Sequence, residues 1–264
     1  MSHIAIDAER LKRTALARGR FWLVACGLGL PLLGAFSLCG DEAPPAIVDG
    51  QVLALEARSV APAGDFEYRG VMKVRRAGSP ARELPVVCGI KRQDGAWRAS
   101  YQVGAPGQQE TLTILQGAAR KNEYLLATNG QAQPQPVTPS QMDRPLAGTD
   151  FDLSDLGREY LFWPGQKVLR AEMRKGRACR VLQSTPAVTN LYACVLSWVD
   201  VDTAGVVMAE SYGPGGALVK EFEVNSVKKV NEVWHPQRLE VRHPQRNSRT
   251  LLEFDFTDPP PPKP

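Results

Sequence analysis

Residues 192–222 alternate β-branched and aromatic side chains with smaller or polar ones, and two clusters of turn formers interrupt them, Asp202-Thr203-Ala204-Gly205 and Gly213-Pro214-Gly215-Gly216. This pattern predicts three consecutive antiparallel strands joined by tight turns. Successive side chains in a strand point to opposite faces. Strict alternation therefore puts Tyr192, Cys194, Leu196 and Trp198 on one face of the first strand, Met208 and Tyr212 on one face of the second, and Leu218 and Phe222 on one face of the third. These sets are expected to form a single apolar inner face.

The same period of two recurs along most of the chain. Phe66, Tyr68, Met72 and Val74 alternate with Glu67, Arg69, Lys73 and Arg75, as in a half-buried antiparallel strand. Further strands are expected at 83–91, at 97–103 after the Asp94-Gly95 hairpin signal, at 109–116 and at 122–128. Seven more follow at 166–173, 177–183, 191–199, 206–212, 218–230, 233–243 and 250–256, with turns at Lys175-Gly176 and Asn231-Glu232. Two segments break the rhythm. Residues 46–58 place Val48, Val52 and Leu55 at helical spacing, and 153–162 read as an apolar helix capped by Asp152 or Ser154 and stopped by Pro164-Gly165. Between them, 131–148 carry four prolines and no apolar period, which predicts a long loop acting as a lid or rim. The fold class expected is mainly β with a few helices (α+β): about a dozen antiparallel strands in a strongly curved sheet or incomplete antiparallel β-barrel cupping the helices.

The first segment has a different character. Five Lys or Arg stand against two acidic residues in 1–37, and 21–38 run without a charge. A basic flank before an apolar run reads as a secretory signal peptide over 1–37, cleaved after Ser37; an uncleaved anchor is the rival reading. Cys26 and Cys39 are conceivable lipidation sites that the residues before them do not favour. The expected localisation is periplasmic, with a folded domain over 46–257 and a disordered Pro-rich tail over 258–264. Removing the signal's charge leaves a body close to neutral, so no nucleic acid partner is expected. Export places Cys88, Cys179 and Cys194 in an oxidising compartment. Cys179 and Cys194 read either as a disulfide across neighbouring strands or as two small buried side chains on opposite faces.

No nucleophile elbow, phosphate loop or metal-ligand spacing occurs, so no enzyme activity, cofactor or metal is expected. His235 and His243 read as solvated turn and strand-end residues. Asp200-x-Asp202-x-Ala204-Gly205 reads as a hairpin turn, because the later ligand positions of a calcium loop are wrong. A cupped sheet wider than its own side chains can fill would instead hold an acyl chain by apolar burial, at about 25 cal/mol per Å2.

Several stretches resemble a known family: Ala147-Gly148-Thr149-Asp150-Phe151-Asp152-Leu153-Ser154-Asp155-Leu156, Cys179-Arg180-Val181-Leu182, Tyr192 through Trp198-Val199-Asp200, Glu210-Ser211-Tyr212 with Gly216, Lys220-Glu221-Phe222, and Val233-Trp234. Together they are similar to the outer-membrane lipoprotein-sorting proteins, the LolA-like periplasmic carriers, over roughly 46–256. The resemblance implies an unclosed β-barrel plugged by helices, with a hydrophobic cavity that carries lipoprotein acyl chains between membranes as a chaperone. It also implies an inner-membrane releasing complex and an outer-membrane acceptor as partners. The expected acyl-binding residues are Trp97, Tyr101, Tyr192, Trp198, Met208, Tyr212 and Phe222 on the strands, with Leu156, Phe162 and Trp163 on the covering helix. The alternative is a cell-envelope structural or adaptor protein with the same fold and a filled core.

Overall fold

The computed structural model describes residues 48–117, 120–128, 133–188, 191–230 and 232–256. The signal at 1–37, with Cys26 and Cys39, the tail at 258–264 and Asn231 of the expected turn lie outside the described residues. Helix α1 (Gly50–Arg58) comes first, followed by strands β1 (Phe66–Arg76), β2 (Arg82–Gln93), β3 (Ala96–Val103), β4 (Glu110–Gly117), β5 (Glu123–Thr128) and the two-residue β6 (Gln135–Pro136). Helix α2 (Leu153–Gly157) and a 3-10 turn (Glu159–Phe162) lead into β7 (Gly165–Arg174), β8 (Arg177–Thr185), β9 (Cys194–Asp200), β10 (Val206–Tyr212), β11 (Leu218–Val230), β12 (Val233–His243) and β13 (Ser248–Asp255).

All thirteen strands join one antiparallel sheet in the order β6-β5-β4-β3-β2-β1-β13-β12-β11-β10-β9-β8-β7. Each half is a meander, and the pairing of β1 with β13, from Arg69 opposite Asp255 to Arg76 opposite Ser248, fuses the two. The sheet does not close, so the fold is the expected incomplete barrel with helices on its inner face. Turn chemistry explains the meander. Asp94 and Gly95 at φ 40° and 78°, and Lys175 and Gly176 at φ 51° and 74°, take the left-handed conformations that two-residue hairpin turns need.

The inner face is packed by two clusters. One joins Met72, Val86, Leu112, Ile114 and Leu252 of the strands to Leu146, Phe151 and Leu153. The other joins Leu182, Val195, Val199 and Ala209 to Leu53, Ala54 and Ala57 of α1 and to Leu161. Phe222 touches both.

Three expectations about orientation are corrected. First, α1 turns Gly50, Leu53, Ala54 and Ala57 inward and leaves Val52 and Leu55 exposed, so of the helically spaced Val48, Val52 and Leu55 only Val48 packs on the inner cluster. The helix lies so close to β7 that any side chain at Gly50 would collide with the Gln166 carbonyl, so small residues face the sheet. Second, the apolar helix expected over 153–162 is broken after Gly157, where Arg158 takes a left-handed φ of 51°. A side chain at Gly157 would strike the Tyr124 hydroxyl, and the turn accommodates that ring.

Third, the strands 192–222 do not share one aromatic face. Trp198 lies opposite Met208, Leu196 opposite Glu210 and Cys194 opposite Tyr212. These residues occupy the outer face, where Trp198, Met208, Cys179 and Val181 form a small separate cluster. Phe222 lies opposite Ala209 and points inward. A bulge in β11 causes the split: Tyr212 faces Leu218 while Ser211 faces Lys220, so Val219 is the extra residue and the strand changes sides there. Strict alternation from Leu218 therefore fails, and Lys220 turns into the core.

The two cysteines are free. Cys179 lies opposite Asp200 and Cys194 opposite Tyr212, on the same outer face but six residues apart along β9, beyond the reach of a disulfide. Neither His235 nor His243 is freely solvated. His243 is 4% exposed, and His235 packs edge-on to Phe66 and Tyr68, with ring centres 5.3 Å apart in each pair.

Candidate functional site

The site is a cavity of about 800 Å3, within the range of small-molecule pockets. Its floor is residues 154–164 with Tyr160, Phe162 and Trp163; its walls are Tyr124 and Leu125 of β5, Pro136, Val137 and Met142 of the long loop, and Val188 and Tyr192 of the β8–β9 turn. The loop at 133–148 is thus a rim, as expected from its prolines.

The floor is fastened on three sides. Beneath it, Arg58 Nη1 donates to the Leu161 carbonyl at 3.0 Å and Arg158 Nη1 to the Ala57 carbonyl at 3.3 Å, clasping it to α1. Arg58 also lies 4.8 Å from the Phe162 ring centre, a cation–π contact. Toward β5, Asn122 Nδ2 donates to the Gly157 carbonyl at 2.8 Å, and the Tyr124 hydroxyl donates to Glu159 Oε2 at 2.9 Å.

The third fastening is ionic. The Lys220 ammonium, 2% exposed, donates to Asp152 Oδ2 and, at 2.8 Å, to Asp155 Oδ2. Asp155 also accepts from the Asp152 backbone N–H at 2.7 Å, completing half of a capping box on α2. The Tyr192 hydroxyl donates to Asp152 at 3.3 Å, with Lys220 5.8 Å from the ring centre. Beside it, Asp150 accepts from Ser248 Oγ at 2.6 Å and from Thr250 Oγ1 at 2.7 Å. The stretch Asp150-Phe151-Asp152-Leu153-Ser154-Asp155 is a pin that drives the floor into the sheet, apolar side chains alternating with carboxylates that each meet a built partner.

Burial works against the charge on Lys220, but Asp155 and Asp152 outweigh it and hold the ammonium protonated above its ordinary range. Asp152 is pushed up to about 6 by burial and by Asp155, which together exceed the pull of Lys220. Burial also raises Asp143 and Glu159. The folded chain therefore holds protons that the unfolded chain releases between its ordinary carboxylate range and about pH 6, and stability rises as pH falls through that window. Glu240 and Glu253 have the opposite sign, held down by Arg242 and by Lys73, and their contribution is lost at lower pH still. His235 and His243, which burial holds below the ordinary imidazole range, oppose this over the same window, so the peak at about pH 5 is expected in the urea midpoints of the His235→Gln/His243→Gln chain. A steady fall from pH 7 to pH 4 would show that the buried carboxylates do not carry this effect.

Of the ten residues singled out by sequence, Phe162, Trp163 and Tyr192 line the cavity. Tyr101, Leu156 and Phe222 sit in the packed core behind it. Trp97 is buried away from it, its indole N–H donating to Gln116 at 3.0 Å. Trp198, Met208 and Tyr212 lie on the outer face: the Trp198 indole donates to Glu172, Arg174 donates to the Met208 sulfur, and the Tyr212 hydroxyl donates to Glu210. Sequence reasoning missed Lys220, Tyr124, Asn122 and Glu159. The one available signal was a lysine inside the Lys220-Glu221-Phe222 motif with no cavity role assigned, beside two aspartates one helical turn apart. The suspected calcium loop is a turn, as expected: Asp200 accepts from the Asp202 and Thr203 backbones at 3.0 and 2.9 Å and from Arg177.

A family model described as "uncharacterized protein" matches residues 103–259, from the end of β3 past β13. The chain belongs to that family. No curated protein matches the sequence. Among solved structures, similarity extends to a DUF1329 family protein from Desulfovibrio piger (18% identity, TM-score 0.65, covering 78% of this chain and 90% of that one). It extends equally to a putative outer membrane lipoprotein-sorting protein domain from Vibrio parahaemolyticus (17%, 0.65, 79% and 90%) and to a LolA superfamily protein from Nitrosomonas europaea (16%, 0.57, 79% and 92%). At these identities the likeness establishes the fold, and the LolA-like resemblance read from the motifs is borne out at that level. Among the described residues no helix is long and apolar enough to cross a membrane.

Proposed function

We propose that the protein is a non-enzymatic periplasmic carrier that holds the acyl chains of a lipoprotein, or of another lipid, in the cavity floored by Phe162 and Trp163. The observation that carries this reading is the cavity itself: about 800 Å3 of space, walled mainly by apolar and aromatic side chains, in a sheet whose interior is otherwise packed. Apolar burial suffices to hold such a ligand, and no charged contact to its tail is needed. The solved LolA-like neighbours, one of them a putative outer membrane lipoprotein-sorting protein domain, support the assignment by fold. A releasing complex in the inner membrane and an acceptor in the outer membrane are the partners such a carrier requires.

The filled inner face favours a second reading, an envelope adaptor that works through its outer surface. Native mass spectrometry of the chain, isolated without detergent and titrated with a diacylated lipopeptide, separates the two. The carrier reading expects one lipopeptide per chain; an adduct-free chain at saturating lipopeptide would leave only the adaptor.

A further inference from the structure

On the outer face, Arg75 of β1 lies directly opposite Arg249 of β13, and Arg249 lies directly opposite Arg242 of β12. Three guanidinium groups thus stand side by side on adjacent strands, spanning about 10 Å, an arrangement of like charges that destabilises a sheet on its own. Their compensation is incomplete. Arg242 and Arg249 share the carboxylate of Glu240, at 2.9 and 3.6 Å, Glu221 of β11 lies opposite Arg242 and lines the larger hollow, and Arg75 makes no ion pair or side-chain hydrogen bond with any described residue, so three guanidinium groups meet two carboxylates. Two hollows flank the row, of about 530 and 310 Å3, and both are lined by Arg75 and Arg249. The smaller also contains the Ser226 hydroxyl, buried without a partner. Forked donors beside an empty hydroxyl suit phosphate oxygens, which arginine binds in bidentate fashion.

The position of the row matters as much as its charge. Antiparallel alternation brings the end of β1, the β12–β13 turn and the β8–β9 turn to the same end of the sheet. The β8–β9 turn is uncharged from Ser184 to Tyr192, and its Val188 is 77% exposed while also lining the cavity. Exposed apolar side chains and a cationic row at one end of a sheet have the chemistry of a membrane-interface contact: apolar side chains enter among the acyl chains while arginines meet headgroup phosphates.

We infer that this end of the sheet docks on an anionic phospholipid bilayer, with the Arg75–Arg249–Arg242 row holding headgroup phosphates and Pro186-Ala187-Val188 entering the interface at the cavity mouth. The inference rests on the carrier reading only for what enters the cavity; the docking stands separately. Hydrogen exchange of the full chain with phosphatidylglycerol-containing vesicles tests it, because exchange localises contact to a face whatever the amino-terminal segment does. Residues 184–188 and 243–250 are expected to exchange more slowly with these vesicles and unchanged with phosphatidylcholine vesicles, and 0.5 M salt should weaken the effect. In the Arg75→Glu/Arg249→Glu chain, the vesicle concentration giving half protection should rise at least tenfold while lipopeptide binding is unchanged. No protection, equal protection by neutral vesicles, equal protection in the double variant, or protection by polyglutamate in place of vesicles would each overturn the docking. Protection without lipopeptide binding would uphold the docking and remove the carrier reading.

Discussion

Replacing Lys220 with methionine is expected to lower the stability of the fold by about 3–5 kcal/mol at pH 7, read as a drop in the urea midpoint. The ammonium is the cation between Asp152 and Asp155, and it is almost wholly out of water. Without it two buried carboxylates face each other, and desolvation is no longer offset. The loss should shrink at pH 5, where Asp152, already displaced to about 6, takes up a proton and removes one charge. Lys220→Met combined with Asp152→Leu should recover part of the stability, since an apolar pair can replace a buried ionic one. A single variant within 1 kcal/mol of the parent at pH 7 would mean that the floor is not held to β11 by this contact.

The second large effect concerns two tryptophans of equal size. Trp163→Ala is expected to weaken binding of an acylated peptide by about tenfold to a hundredfold, because covering one large apolar side chain contributes roughly 1.5–3 kcal/mol. Trp198→Ala should leave binding unchanged. Trp163 lines the cavity floor, whereas Trp198 packs against Met208 and Arg174 on the opposite face of the sheet. Fluorescence titration of a labelled lipopeptide reads both, and equal losses in the two variants would show that binding responds to general destabilisation and not to the cavity.

That contrast also marks the limit of what alternation reveals. Strand positions, the meander and the turns were legible because each depends on nearby residues: Asp94-Gly95 and Lys175-Gly176 choose their own backbone conformations, and period-two patterning survives in strands without a bulge, such as β13. The motif around Asp150 was legible as a signature but not as a pin, since its partners Lys220, Ser248 and Thr250 lie far along the chain. Which face a side chain occupies was less accessible. One extra residue at Val219 reverses the inward set of β11, and no local pattern announces that bulge. The rotation of α1 depends likewise on how closely Gly50 approaches Gln166, and the break at Arg158 on where the Tyr124 ring lies. The cavity was expected beneath the 192–222 strands. Those strands reach it at Tyr192, Val195 and Ser211 and otherwise pack against α1 and Leu161, and the open space lies between them, β5, the proline-bearing rim and the β8–β9 turn.

The most direct test of an acyl chain in that space is the broadening of tryptophan indole N–H signals by a stearate carrying a nitroxide along its chain. The carrier account predicts that Trp163 is broadened at one equivalent of stearate, while Trp198 and the exposed Trp234 keep their intensity. Uniform broadening of all three, or broadening of Trp198 or Trp234 with Trp163 spared, would contradict it.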